Sequence, residues 1–88
     1  WNAETYKKSL DNPIAAAGFK SDWEAMFWAD ACVLVNKSGR SAHLEAGYFV
    51  GAGKPLWILL SDGDEPELMY KMASGLFVNI NELLEGIK

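Results

Sequence analysis

A single cysteine and a single histidine stand among the 88 residues, and each scarcity excludes a class of protein. One thiol forms no internal disulfide, so the disulfide-stapled secreted scaffolds are out, as are the multi-cysteine zinc patterns. With one imidazole beside it, few soft metal ligands are left, and a reducing, cytoplasmic setting is the expected one. Long apolar runs are absent: none approaches the roughly 18 residues a membrane-spanning helix needs, and Trp1-Asn2-Ala3-Glu4 is not a signal peptide. Cations are the minority, eight Lys and Arg against twelve Asp and Glu for a formal charge of −4, which argues against a nucleic-acid polymer as partner. There is no internal repeat, no low-complexity tract and no linker.

What is present is a core-forming composition. Half of the residues are apolar, 23% are charged, and four Trp, three Tyr and four Phe supply bulk. The length allows one domain, residues 1–88, which buries only roughly 60 to 65% of the surface it exposes when unfolded.

Pattern gives alternating helices and short strands. Residues 2–10 read as a helix ended by the turn Asp11-Asn12-Pro13. Ser21-Asp22-Trp23-Glu24 has the form of a capping box and predicts a helix from Ser21 to about Asp30, with Trp23, Met26 and Phe27 at helical spacing. Ala31-Cys32-Val33-Leu34-Val35 is a continuous apolar strand, of the kind covered on both faces in a parallel sheet. After the loop Asn36-Lys37-Ser38-Gly39-Arg40-Ser41, Ser41 is the expected N-cap of a helix over 42–50, stopped by Gly51-Ala52-Gly53. A second strand over 55–60 completes a βαβ unit and so implies parallel strands. Ser61-Asp62-Gly63-Asp64 is turn chemistry, Pro66 opens a helix to about Ala73, Leu76-Phe77-Val78 is a last strand, and Asn79 with Glu82 caps a final helix. The fold class is α/β.

In a parallel sheet, ligands bind where strand ends lead into helix N-termini, here Asn36 to Ser41. Unpaired N–H groups and the positive end of the helix dipole attract phosphate or carboxylate there. Gly39 admits close approach, Arg40 can fork onto an anion, and Ser38 and Ser41 bring hydroxyls. The same segment also reads as a plain connection with an N-cap serine. Glu45, one turn into the helix among small neighbours Ala42, Ala46 and Gly47, is either a nucleophile or base in that space or a surface acid favoured by the dipole. Asp22 is either a partner acid facing inward or a first-turn dipole complement. Asp30 ends its helix, and His43 reads as structural.

Gly47 and Gly51, four apart, are expected to let the helix approach the sheet. Gly51-Ala52-Gly53-Lys54-Pro55 is no phosphate loop, since it follows a helix, precedes a strand and has no Ser or Thr after the Lys. Asp62, Asp64, Glu65 and Glu67 lack the glutamate that closes a calcium loop and read as an acidic helix start. The aromatics at 23, 27, 28, 48, 49, 57 and 77 are expected to be mostly core, with Trp1, Trp28 and Tyr48 available for base stacking or a subunit contact. No cofactor motif is present.

Three segments taken together, Ala29-Asp30-Ala31-Cys32-Val33-Leu34-Val35, Ser38-Gly39-Arg40-Ser41-Ala42-His43-Leu44-Glu45-Ala46-Gly47-Tyr48 and Gly51-Ala52-Gly53-Lys54-Pro55, resemble the nucleoside 2-deoxyribosyltransferase family over residues 13–84. The resemblance implies a flavodoxin-like (Rossmann-like) three-layer fold with a parallel sheet. It implies that Glu45 is the nucleophile that attacks the anomeric carbon of a 2-deoxyribose, and that Asp22 exchanges a proton with the leaving base. Ser38, Gly39, Arg40 and Ser41 would then cradle sugar or phosphate. Family members carry an acidic loop before the Glu, whereas this one holds Arg40, and relatives that hydrolyse deoxynucleoside 5-monophosphates use serines near this position. A nucleotide N-glycosidase is therefore the rival enzyme, and a non-catalytic nucleotide-binding module or a structural interaction domain are the rivals outside catalysis. The resemblance also implies a homo-oligomer, dimer or higher, with sites between subunits. It further implies that the chain is the C-terminal part of the family fold without its first strand, helix and strand, leaving the strand at 31–35 as a bare apolar edge.

Overall fold

The computed structural model describes residues 1–87 and opens with two helices, α1 (Ala3–Ser9) and α2 (Pro13–Trp28). Asn2 caps α1 by accepting from the Thr5 N–H at 2.8 Å, and Glu4 in the first turn with Lys7 and Lys8 in the last complement the helix dipole. Asn12 caps α2 by accepting from the Ile14 N–H, also at 2.8 Å, with Pro13 as the first helical residue. This overturns the expected start at Ser21. The Asn-Pro pair both ends α1 and opens α2, and Ala15, Ala16 and Ala17 then propagate the helix past Gly18, whose cost is only about 1 kcal/mol. Ser21-Asp22-Trp23-Glu24 therefore lies mid-helix, with Lys20 and Glu24 paired across one turn at 3.9 Å. α2 ends where Ala29 turns extended.

The sheet has three parallel strands in the order β1 (Cys32–Val35), β2 (Leu56–Leu59) and β3 (Gly75–Phe77), with Leu34, Ile58 and Leu76 in one row. Parallel pairing follows from the crossover helix α3 (Arg40–Gly51) between β1 and β2. Leu34, Leu56 and Ile58 bury themselves under Ala46 of α3, and Ile58 is 1% exposed. α4 (Ile80–Gly86) packs on β3 and β2; Asn79 accepts from the Glu82 N–H at 2.9 Å, as the cap pair predicts, while Glu82 accepts at 3.1 Å from the N–H of Val78, one residue before the cap, rather than from that of Asn79. The Phe77 ring sits so tightly against Gly75 and Gly86 that a Cβ at either would collide with it.

Several expectations change on contact with this packing. β1 is an edge strand, and Val33 and Val35 are exposed on the face away from α3, so cover on both faces fails at this strand. α3 starts one residue before Ser41: Gly39 is the N-cap, in extended conformation; lacking a side chain it makes no side-chain cap, and its carbonyl accepts the first helical bond from the His43 N–H at 3.3 Å. A Cβ at Gly47 or Gly51 would meet nothing within 4 Å, so close approach to the sheet is made by Ala46 instead. The helix expected after Pro66 is a short 3₁₀ segment, Leu68–Met72, capped by Glu67 and stopped where Ala73 turns extended. Among the aromatics expected in the core, Phe49 is buried, but Trp23, Phe27 and Trp28 on α2 are exposed; Trp1, expected at a stacking site or a subunit contact, is exposed as well.

α3 closes with a left-handed turn. Gly53 has φ 75°, its N–H bonds the Val50 carbonyl at 3.0 Å, and the Lys54 N–H bonds the Phe49 carbonyl at 2.8 Å. That pair of bonds is a Schellman motif, which needs the conformation glycine adopts without strain.

Candidate functional site

Two helices face each other across a cleft of about 380 Å³. α2 contributes Phe19, Asp22, Trp23 and Met26, and α3 contributes Ser41, Leu44, Glu45 and Tyr48. Both sets follow the same i, i+3, i+4, i+7 spacing, so each is one face of its helix. The Trp23 and Tyr48 ring centroids lie 5.0 Å apart and Phe19 stacks on Trp23 at 6.0 Å with 16° between planes, giving the cleft an aromatic wall. Glu45 is half-buried and Asp22 is exposed. Burial pushes the Cys32 thiol above its ordinary range, and the Glu45 carboxylate pushes it further.

The residues expected at the site are thus divided. Asp22, Glu45 and Ser41 share the cleft. Gly39 and exposed Arg40 do not line it, and they stand at the uncapped start of α3. Ser38 is turned elsewhere, its hydroxyl donating to Asn36 Oδ1 at 3.1 Å. Of the aromatics expected to stack a base, Tyr48 lines the cleft, Trp1 and Trp28 do not, and Trp23 does in their place.

A second polar cluster lies at the carboxyl ends of β1 and β2. Asn36 Nδ2 donates to Asp64 Oδ2 at 3.0 Å and to the Tyr70 hydroxyl at 2.9 Å. His43 Nδ1 is 2.8 Å from the Gly39 carbonyl, which can only accept, so Nδ1 donates there, and Nε2 shares a hydrogen bond with the Tyr70 hydroxyl at 2.7 Å. The His43 and Tyr70 rings lie nearly parallel, 14° apart. This network ties the loop after β1 to the 3₁₀ segment and supplies α3 with the restraint that a capping side chain would otherwise give. Asp64 also accepts from the Ser61 N–H at 2.8 Å. That backbone hydrogen bond, with smaller help from Asn36 and Lys37 and against partial burial, holds its carboxyl below the usual carboxylate range.

The sequence marked His43 as structural and Asp64 as a turn residue. Tyr70 carries no signal and Asn36 only its place at the head of the loop after β1, because their partners lie 27 and 34 residues away in sequence. Among the described residues no group of three or more His, Cys, Asp or Glu side chains stands close enough to hold a metal ion, and no helix is long and apolar enough to cross a membrane. Compared with known proteins, the chain matches no family model, no curated protein and no solved structure.

Two expected outcomes follow from the electrostatics. Because the folded state lowers the Asp64 pKa, its contribution to stability is fully present above about pH 4 and is lost as pH falls through the lowered value. Urea unfolding of wild type and Asp64→Asn will therefore differ at neutral pH and converge on acidification; a gap that widens with acid contradicts the assignment. Cys32 in turn reports on Glu45: Glu45→Gln removes a like charge and moves the pH profile of Cys32 alkylation to lower pH, whereas Asp22→Asn leaves it in place.

Proposed function

We propose that this chain is a deoxyribosyl-transferring domain of flavodoxin-like fold, similar to nucleoside 2-deoxyribosyltransferases. The observation that carries the reading is the convergence of two carboxylates from separate helices, Glu45 of α3 and Asp22 of α2, on one cleft walled by Trp23 and Tyr48. In the proposed reaction a Glu45 oxygen bonds to the anomeric carbon of a 2-deoxynucleoside. The carbon–nitrogen bond breaks, its electron pair goes to the base, and the base takes a proton from Asp22. An incoming base then attacks the same carbon through a ring nitrogen, the ester to Glu45 breaks, and the N–H proton that this incoming base loses goes to Asp22 and restores it. Two displacements give net retention, and the carboxylate stabilises the oxocarbenium character of each transition state. The absence of a 2-hydroxyl makes that cation easier to reach.

A hydrolytic variant acting on deoxynucleoside 5-monophosphates is favoured by a separate observation. α3 begins at Arg40 with no side-chain cap, so its first N–H groups, its dipole and a guanidinium are together available to a phosphate, with Ser41 next in line. Water in place of the second base then releases the sugar.

Incubation with a deoxynucleoside plus a free acceptor base, and separately with deoxynucleoside monophosphates, distinguishes the two. Intact mass after acid quench is expected to show one anhydrodeoxyribose unit on Glu45, and Glu45→Ala to lose activity on the order of a thousandfold or more. Neither exchanged nor free base, or an unaffected Glu45→Ala, removes the enzymatic reading. Saturable nucleotide binding without turnover would leave a binding module.

The reading includes a homo-oligomer. The chain exposes 6886 Å², whereas a folded monomer of its mass exposes about 5,100 Å². Its radius of gyration is 15.1 Å, against about 12 Å for a compact chain of this length. The surplus of roughly 1,800 Å² exceeds the roughly 800 Å² each partner buries in a standard interface, and Val33, Val35, Phe27 and Trp28 are exposed apolar side chains that an interface would cover. Sedimentation equilibrium at micromolar concentration is expected to give a dimer or larger; a monomer contradicts it.

A further inference from the structure

Lys54 holds together two elements that otherwise touch little. The Schellman turn at the end of α3 fixes its backbone, and its ammonium reaches back to α2, donating to the Phe27 carbonyl at 2.9 Å and to the Met26 carbonyl at 3.1 Å. Those carbonyls belong to the last turn of α2, where the chain supplies no Lys, Arg or His of its own. A cation in that place satisfies orphan acceptors and complements the negative end of the helix dipole. The rings of Phe27, Tyr48 and Phe49 surround the ammonium, with centroids 5.6 to 5.9 Å from Nζ, which lowers the cost of holding the charge half-buried. Apart from the Trp23–Tyr48 ring contact, α2 has little else to fix it, for none of its residues is buried.

We propose that Lys54 is a positioning residue for the carboxylate cleft: by clamping the C-terminal end of α2 it sets where Asp22 stands relative to Glu45. This rests on the reading of the cleft as a glycosyl-transfer site. Asp22 precedes Phe27 by five residues, about 7.5 Å along the helix axis. A tilt of roughly 10° about the clamp therefore moves Asp22 by about 1 Å, a displacement that can cost about a hundredfold in rate when a reacting group is involved. Glu45 sits on α3, docked on the sheet, and does not move with α2.

The test compares Lys54→Met, which keeps the stem and loses the ammonium, with Lys54→Arg, which keeps the charge. Hydrogen exchange is expected to show the Trp28 and Ala29 amides of Lys54→Met exchanging about tenfold faster or more, with β1 and β2 amides unchanged and Lys54→Arg close to wild type. In turnover, a deoxynucleoside needs a proton on its leaving base, whereas 2-deoxyribosyl fluoride does not. Lys54→Met is therefore expected to lose about tenfold or more on the nucleoside and to stay within about twofold on the fluoride, the pattern also expected of Asp22→Asn. Equal losses on both substrates, or no change in exchange, overturn the proposal. If wild type turns over neither substrate, the glycosyl-transfer reading fails on its own, and exchange at Trp28 and Ala29 decides whether the clamp exists.

Discussion

The packing of Ala46 on Leu34, Leu56 and Ile58 is the contact on which the rest of this chain depends. It docks α3 on the sheet, and α3 carries something different on each of its faces. Ala46 and its neighbours Ala42 and Val50 look to the strands, Glu45 and Tyr48 look to α2, and His43 looks to Tyr70. A methyl at position 46 lets the backbone come close without a cavity, and a larger side chain would lift the helix and shift all three faces together. The geometry of the cleft is thus inherited from a hydrophobic contact that touches none of its polar groups.

The two walls of the cleft are unequal in stiffness. α3 is held by the core and by the hydrogen-bonded chain from Gly39 through His43, Tyr70 and Asn36 to Asp64. α2 has no buried residue and is held mainly by one ammonium and one pair of rings. A rigid carboxylate opposite a more compliant one suits a displacement in which one group attacks and the other only exchanges a proton. The attacking atom needs the tighter placement, since its reach to the carbon is set by bond formation, while a proton donor tolerates a longer or bent path.

What the sequence made legible was whatever rests on local rules. Asn79 with Glu82 announced α4, the crossover between apolar runs announced parallel strands, and Gly53 announced the end of α3. Where two local signals competed, pattern chose badly. Asn12-Pro13 and Ser21-Asp22-Trp23-Glu24 both resemble helix starts, and the earlier one wins because nothing between them is strong enough to stop propagation. Glu45 and Asp22 were singled out by residue type and position, but their shared cleft depends on how α2 lies across α3, which no spacing encodes. The Tyr70 and Lys54 interactions were illegible for the same reason: each joins segments about 27 residues or more apart.

Phe77 is lodged between two glycines, and this divides the mutational tolerance of the chain in an unusual way. Glycine within a helix is ordinarily where alanine raises stability, by up to about 1 kcal/mol. At Gly86 that gain is closed off by the ring, and Gly75 in the strand is equally sealed. Gly18 and Gly47 have open space around them and lie mid-helix on α2 and α3. Of the glycines in this chain, those two beside the Phe77 ring leave no room for a methyl, and the room for improvement by an engineer, or by drift, lies at Gly18 and Gly47 in the two helices that frame the cleft.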